Sequence, residues 1–338
     1  DSDYLATYKP LNIELTKNIR KYVIPNLNPF QAIELLRTEA VSAEEQSPHF
    51  LFFENPNGFH FRSLDSLIGS QGSLSVVHKR TYKFEPPAND ETPEESSTTI
   101  LHWEVQDNNN NFLGTKLGMF GSTLYYHDIF NKNIQKFEFD YTKDSFNIRN
   151  STNQEDAKSG TVVSQGIIEN KKTITEFPNS KVFVHPTSSD KLHSLGTDNN
   201  AEEWLQESIS RELQRDYFTL KIETYGDTNI MCGDMINVLI PSNKPLPTSN
   251  SSEAYDPILS GRYLVTSLKH MILPESSMHS MIMTVMKDSV ESATPVKDTT
   301  YPEPPKGKVD IGLSTTKRKL RPVTKTSNLT ATSNPHSR

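Results

Sequence analysis

Three residues of this chain combine reactive side chains with positions that could serve catalysis. His127 and Asp128 are adjacent, as a general base and the carboxylate that orients it could be. Because neighbours on a strand point to opposite faces, these two side chains could not hydrogen-bond to each other there. Cys232 is the single cysteine and no Cys/His signature accompanies it, so a small buried strand residue is favoured over a nucleophile. We predict structural roles for all three residues.

Acidic residues could supply the pair of carboxylates that glycoside hydrolysis requires, and Asp65, Glu104 and Asp107 are candidates. The chain holds 42 Asp and Glu residues, and no spacing selects a pair among them. The ten histidines show no His-Glu-x-x-His or Cys/His spacing, although a metal site assembled from distant strands stays open. Glycine-bearing loops at 69–73 and 114–121 lack a phosphate-binding pattern. The sequence therefore predicts no enzyme activity and no cofactor, with a glycan hydrolase as the alternative.

Composition and charge narrow the class of protein. Hydrophobic residues make up 34% of the chain and the mean hydropathy is −0.60, which favours thin β-domains or an oligomer subunit over one large core. Residues 301–338 hold eight Lys and Arg against two Asp and Glu, so a tail of charge +6 follows a body of charge −13. An acidic body argues against sequence-specific nucleic-acid binding. No apolar run approaches the roughly 18 residues that a membrane anchor needs.

A capped helix is predicted near the N-terminus. Asn28 is a favourable N-cap, Pro29 suits the first helical position, and Gln31 occupies the position of a capping-box acceptor. Apolar residues, beginning with Phe30, then recur at helical spacing, so the helix is predicted to run to about Ser42.

A β-hairpin is predicted to follow this helix. Apolar-rich runs at 49–53 and 59–63 flank a turn in which Asn57 and Gly58 supply the positive φ that a tight connection needs. Residues 64–68 are predicted as a short helix or turn. Further along, 99–105 and 135–141 read as strands and 114–121 as a glycine-containing loop.

A second helix is predicted over 200–215. Asn200 and Glu203 form a capping pair at its start, and Arg211 and Arg215 lie in the last turns, where the helix dipole favours positive charge. The buried stripe of this helix is predicted to be Leu205, Ile209 and Leu213.

The C-terminal region alternates apolar and polar residues over three runs, 233–241, 259–270 and 279–289, which predicts a small β-meander. The last run is rich in methionine, with two residues on each face of the strand. One face would pack into a core, and the other would form a subunit contact or a promiscuous binding surface. The candidate interface residues are Met278, Met281, Met283, Met286, His127 and Phe130.

Three ordered segments carry a resemblance to a known family. They are 18–68, with V-I-P-N-x-x-P-F-x-A-I and then S-P-H-F-L-F-F-E-N-x-x-G-F-H-F-R-S-L-D-S-L; 114–141, with G-M-F-G-S-T-L-Y-Y-H-D-I-F-N-K; and 218–290, with G-D-x-I-x-V. In this order they resemble the central baseplate hub proteins of T-even-like contractile-tailed bacteriophages.

The resemblance implies an α+β, mainly β fold, with small antiparallel β-barrels of tail-tube type and inserted α/β domains. The expected domains are an α/β domain at 1–80, a mixed β domain at 81–215, a C-terminal barrel at 216–290 that pairs with residues near 114–141, and an extended basic tail at 291–338. The family's first barrel would precede the capped helix, and we expect it to lie outside this chain.

The resemblance also implies partners. Three copies would form a homotrimeric ring that joins the threefold spike, a tail lysozyme, to the sixfold tail tube or its initiator proteins. Inner baseplate wedge proteins would surround the ring. The chain would assemble in the host bacterial cytoplasm and reside in the tail baseplate of the virion. A spike module of a type VI-like injection system is a second alternative.

Overall fold

The computed structural model describes residues 8–17, 23–44, 47–68, 78–85, 97–108, 111–128, 132–141, 177–187, 200–242, 255–256, 258–276 and 278–289. The strands, in chain order, are β1 (Leu11–Ile13), β2 (Phe50–Asn55), β3 (Gly58–Ser63), β4 (Thr81–Lys83), β5 (Ile100–Asn108), β6 (Gly121–Asp128), β7 (Asn133–Asp140), β8 (Val182–Thr187), β9 (Phe218–Tyr225), β10 (Met235–Leu239), β11 (Gly261–Leu273) and β12 (Met278–Lys287). The helices are α1 (Pro29–Glu39), α2 (Leu64–Ile68), α3 (Asn111–Leu117) and α4 (Ala201–Arg215), with 3₁₀ turns at Pro178–Ser180 and Pro274–Ser276. The predicted basic tail at 291–338 and the loop at 69–73 lie outside the described residues.

The largest sheet has six strands in the order β4-β10-β11-β12-β9-β5 and curls into a half-barrel. Its two outer strands approach each other at one end, where the amide of Lys83 donates to the carbonyl of Thr98 at 3.0 Å. The concave face holds the barrel core, because alternate residues of each strand point inward. This core includes Leu220, Ile222, Met281, Met283 and Val285. The predicted α+β, mainly β class is confirmed.

The strands that complete this sheet differ from the prediction. The C-terminal strands were expected to pair with residues near 114–141, but their partners are β4 and β5. Residues 121–140 form β6 and β7, which pair with each other and, through β6, with β8. β6 pairs with β7 along one edge and with β8 along the other, so β6 cannot also join the half-barrel.

The N-terminal sheet has the order β1-β3-β2 and contains the predicted hairpin. Gly58 has a φ of 141°, and a Cβ on it would lie 2.3 Å from the carbonyl oxygen of Pro10. Only glycine satisfies both conditions, so this residue fixes the turn and lets β1 approach β3.

Helix α1 begins with the predicted capping box. The amide of Gln31 donates to Asn28 Oδ1 at 2.8 Å, and the amide of Asn28 donates to Gln31 Oε1 at 3.1 Å. The helix ends at Glu39, three residues earlier than predicted, and none of its residues is buried. Two of its apolar side chains, Phe30 and Leu36, are exposed.

The glycine loop predicted at 114–121 is wrong in its first part. Residues 111–117 form α3, and Gly118, with a φ of 97°, ends the helix. Gly114 lies within the helix, where a Cβ would approach the sulfur of Met119 to 2.7 Å. Close packing of the helix on Met119 explains a glycine that the sequence pattern assigned to a loop.

Candidate interaction surfaces

A fully buried arginine connects three parts of the chain that lie far apart in the sequence. Arg211 of α4 is 0% exposed, and its guanidinium lies 2.5 Å from Asp65 of α2 and 2.6 Å from Asp288 at the end of β12. Both carboxylates are also buried. The side chain of Arg211 therefore links α4 to α2 and to the end of β12 in the half-barrel.

This arrangement corrects two predictions for α4. Asn200 adopts a left-handed conformation and makes no side-chain cap. The fully buried face is largely polar, and the predicted stripe of Leu205, Ile209 and Leu213 is only half-buried. The buried residues of α4 are Ala201, Trp204, Gln206, Ser208, Ser210, Arg211 and Gln214. Arg211, which the sequence pattern assigned to favourable interaction with the helix dipole, neutralises two buried acids.

The charge state of Arg211 follows from two opposing effects. Burial lowers the pKa of its guanidinium, but the carboxylates of Asp65 and Asp288 outweigh burial and raise the pKa above its ordinary value. The guanidinium is therefore charged at every pH at which the protein folds. A buried charge is tolerated only with such partners, since desolvation alone costs several kcal/mol.

A buried histidine lies beside this network. His49 is almost fully buried with a φ of 146°, and its Nδ1 lies 3.3 Å from a carboxylate oxygen of Glu212. Desolvation, followed by the positive charges of Arg211, Arg215 and Arg37, lowers the pKa of His49 well below its ordinary 6.5. The imidazole is therefore neutral at physiological pH.

His49 should make folding stability fall as the pH drops below about 6.5. As the pH falls below 6.5, the unfolded chain binds a proton at this residue and the folded chain does not, so stability is lost toward acid. The slope should reach about 1.4 kcal/mol per pH unit. Urea denaturation at pH values above and below 6.5 checks the prediction, and His49→Asn, which removes the titrating imidazole, should flatten the slope. An equal flattening by His102→Asn, an exposed residue of β5, would contradict the assignment.

A cleft of about 720 Å³ separates β2 of the N-terminal hairpin from the convex face of the half-barrel. Leu51, Phe53, Thr266, Thr284 and Met286 line it together with Cys232. Burial, and then the charge of Asp234, raises the pKa of the Cys232 thiol. A thiol held protonated is a poor nucleophile, which favours the structural interpretation of this residue.

Two of the three candidate acids for the alternative hydrolase activity have described positions. Asp65 is committed to the ion pair with Arg211, whereas Glu104 lines the cleft from β5. The side chain of Asp107 lies outside the described part of the structure. Within that part, no group of three or more His, Cys, Asp or Glu could hold a metal ion. Likewise, none of the described helices is both long and apolar enough to cross a membrane.

Most of the exposed apolar side chains among the described residues fall into three groups, which we call the N-terminal surface, the sheet face and the hairpin end. Others, such as Leu113 on α3 and Val105 on β5, are exposed outside these groups. The N-terminal surface comprises β1, α1 and their flanks, and Phe30 on α1 is 71% exposed. Its exposed apolar residues are Tyr8, Leu11, Ile13, Leu15, Val23, Ile24, Leu27, Phe30 and Leu36. Exposed apolar side chains that form a patch mark protein contacts, so the N-terminal surface is a candidate interface.

The sheet face is the outer side of the sheet β7-β6-β8. His127 on β6 lies opposite Ile134 on β7, and Tyr125 lies opposite Val184 on β8, so these side chains share one face. Val184 is 70% exposed, and Ile134 and Val182 are also exposed. The other face packs on α4, where His185 contacts Trp204. His127, a predicted interface residue, thus lies on an exposed face, while Phe130 falls outside the described residues.

The hairpin end is formed by the ends of β11 and β12. Ile272 is 69% exposed and Met278 is 40% exposed, with Leu273 exposed between them. The other methionines predicted for an interface lie inside this chain. Met281 and Met283 are in the barrel core, and Met286 is covered by Leu64, Leu67 and Ile68 of α2. Of the four, Met278 is the one whose side chain can reach a second chain without rearrangement.

Comparisons with known proteins give a distant likeness. No family model matches the sequence, and no curated protein matches it. Among solved structures, the chain is similar to the crystal structure of the tail protein from Neisseria meningitidis MC58, with a TM-score of 0.42 and 8% sequence identity. The match covers 83% of this chain and 62% of that chain, so this chain spans less than two thirds of that protein. A likeness of this size does not establish function, which has to be argued from this chain's own residues.

Proposed function

We propose that this protein is a structural subunit of a phage tail, specifically the central hub of the baseplate. Three copies would form a ring that joins a threefold spike to the sixfold tail tube. The observation that carries the proposal is the exposure of apolar side chains at three separate surfaces of a chain that is otherwise polar. The resemblance of segments 18–68, 114–141 and 218–290 to hub proteins supports the same role.

The number of surfaces fits a ring subunit. In a cyclic trimer each subunit meets its two neighbours through two different patches, because the contact is heterologous. An adaptor must also present surface to partners along the axis. The N-terminal surface, the sheet face and the hairpin end can be divided among these contacts, whereas an enzyme would concentrate its special residues around one cleft.

The buried network explains how these surfaces could keep a fixed geometry. Arg211 links α4, which supports the sheet face, to α2 beside the N-terminal hairpin and to the end of β12. A ring closes only if the angle between its two contact patches is held constant. We therefore assign to this network the mechanical role of fixing the relative orientation of the three surfaces.

The wider partners belong to the same proposal. They are the spike, a tail lysozyme, on one side of the ring, the tube or its initiator on the other, and the inner baseplate wedge proteins around it. The protein would assemble in the bacterial cytoplasm and remain in the virion tail, and it would not itself be an enzyme.

Native mass spectrometry of the chain, alone and co-expressed with its neighbouring spike gene, tests the proposal. We expect a species of three times 38.3 kDa and a complex with three spike chains. A chain that stays monomeric at micromolar concentration and does not bind the spike would contradict the hub proposal. A muralytic assay on peptidoglycan would then be the next measurement, since the glycan hydrolase is the alternative.

Charge substitutions should show which surface makes the subunit contact. Ile13→Glu, Val184→Glu and Ile272→Glu each place a carboxylate on one of the three surfaces, at residues that are exposed in the single chain. At least one of them should dissociate the trimer without changing the midpoint of thermal unfolding. Asn133→Glu, at an exposed polar position of β7, is the matched control and should remain trimeric. Trimers that survive all three substitutions would rule these surfaces out as the ring contact.

A further inference from the structure

Two histidines meet where the hairpin of β11 and β12 extends beyond the barrel core. His270 is paired in register with Met281 and His279 with Ile272, so both imidazoles lie on the face that carries Met281 and Met283. That face is buried at the methionines and becomes accessible at the two histidines. The imidazoles therefore lie at the open end of the core, in reach of solvent.

The two rings are held close together. His270 Nδ1 and His279 Nε2 are 3.0 Å apart, and the ring centroids are separated by 5.1 Å. His279 lies directly on Gly226, where a Cβ would come within 2.2 Å of the ring, and its carbonyl accepts a hydrogen bond from the Gly226 amide at 2.8 Å. Glycine at 226 thus provides the space that this ring position requires.

We propose that this pair is a chelating site for a divalent transition-metal ion, with Cu²⁺ and Ni²⁺ as the preferred class. Two metal–nitrogen bonds of the usual length, meeting at a right angle, place their nitrogens about 2.9 Å apart, whereas a tetrahedral angle places them at about 3.3 Å. The observed 3.0 Å fits neighbouring positions of a square-planar or octahedral ion. Such geometry is typical of Cu²⁺ and Ni²⁺ rather than of structural Zn²⁺.

Metal binding conserves the protons of the pair. In the hydrogen-bonded pair one facing nitrogen carries a hydrogen and the other carries the lone pair. Coordination needs a lone pair on each of the two nitrogens, both directed at the ion. The donor ring therefore moves its proton to its other nitrogen through solvent, and the two rings turn so that both lone pairs face the ion. The remaining coordination positions are open to water or to a donor group from a second chain, because no cluster of three ligands occurs among the described residues.

Sequence motifs for metal binding do not detect this site, and the reason is physical. Its ligands are nine residues apart and come together only because β11 and β12 pair across the Pro274–Ser276 turn. Metal motifs that can be read from sequence place ligands on one helix or one tight loop. In the folded chain the ion would clamp the two strands just before the exposed hairpin end.

Titration of the full-length chain with CuCl₂, followed by calorimetry and electron paramagnetic resonance, tests this site. We expect one tight Cu²⁺ per chain with hyperfine coupling to two nitrogens. His270→Gln and His279→Gln should each weaken that binding at least tenfold and remove the two-nitrogen signal. His102→Gln, an exposed strand histidine elsewhere, should leave both unchanged.

Retention of the tight site in both variants would overturn the proposal. His270→Gln is the decisive variant if His279→Gln disturbs packing on Gly226, and unfolding midpoints without metal identify that case. Because the readout is metal binding by the chain itself, failure of this site leaves the proposed hub role untouched. Likewise, failure of the chain to form a trimer would not contradict the proposed metal site.

Discussion

Replacing Arg211 by methionine should lower the free energy of unfolding by about 3–5 kcal/mol. The substitution keeps a long side chain in the same place but removes the charge that Asp65 and Asp288 share. Both carboxylates are buried, so neither can recover its hydration in the folded state. The lower free energy of unfolding would therefore come from two buried carboxylates without a positive partner, rather than from lost packing.

Urea denaturation of the wild type and Arg211→Met at one protein concentration measures this loss. Arg215→Met is the matched control, because Arg215 lies on the same helix and pairs with Glu212 and Asp216 while a quarter of its side chain remains exposed. That control should cost less than about 1 kcal/mol, as partly exposed ion pairs do. Equal losses in the two variants would contradict the role assigned to the buried network.

A combined variant separates charge from shape. Adding Asp65→Asn and Asp288→Asn to Arg211→Met removes the stranded charges and should recover part of the lost stability, since polar but neutral groups cost less to bury. Non-additivity of this kind is expected for residues in one network. If the triple variant is less stable than Arg211→Met alone, the carboxylates act through hydrogen bonds rather than through their charge.

Local features of the fold could be predicted because their causes lie within a few residues. The capping box is made by the side chains of Asn28 and Gln31, which accept from backbone amides three residues away, and the turn at Gly58 follows from the positive φ of that glycine. The alternation in β12 likewise separated Met283, in the core, from Met278, at the surface. In each case the sequence pattern and the structural cause have the same short range.

Features that depend on distant residues could not be predicted in this way. Arg211 on the polar face of α4 can be buried because it pairs with Asp65, which lies 146 positions away in the chain. Periodicity alone assigns such polar residues to solvent. The pairing of β5 with β9 is equally remote, and no residue in either strand specifies the other. Arg211 could have been suspected only from an arginine aligned with Trp204 and Ser208 on one face of the helix, which is a weak signal.

The candidate surfaces show the same division. Sequence reasoning placed His127 and Met278 among interface residues, and both lie on exposed faces. It missed Phe30 and Val184, because apolar residues in a helix or strand are normally assigned to a core. Their exposure appears only when the fold leaves those elements uncovered on one side. The exposure of these apolar residues is therefore a feature that only a structure could add.

Met283→Ala should lower the free energy of unfolding by about 2–5 kcal/mol, whereas Met278→Ala should change it by less than about 0.5 kcal/mol. The two residues belong to the same strand and have identical side chains, but Met283 is fully buried in the barrel core and Met278 is 40% exposed. Truncating Met283 removes three heavy atoms and leaves a cavity that the half-barrel cannot fully close. The pair thus isolates burial from residue type.

Unfolding at a fixed protein concentration and native mass spectrometry, applied to both variants, give opposite expectations. Met283→Ala should unfold at lower urea yet remain trimeric while folded, because it lies inside one chain. Met278→Ala should unfold as the wild type does, and any weakening of the trimer in this variant would assign the hairpin end to a subunit contact. A large loss of stability in Met278→Ala with intact assembly would mean that the exposed end of the hairpin packs within the chain. The division between barrel core and contact surface along β12 would then be wrong.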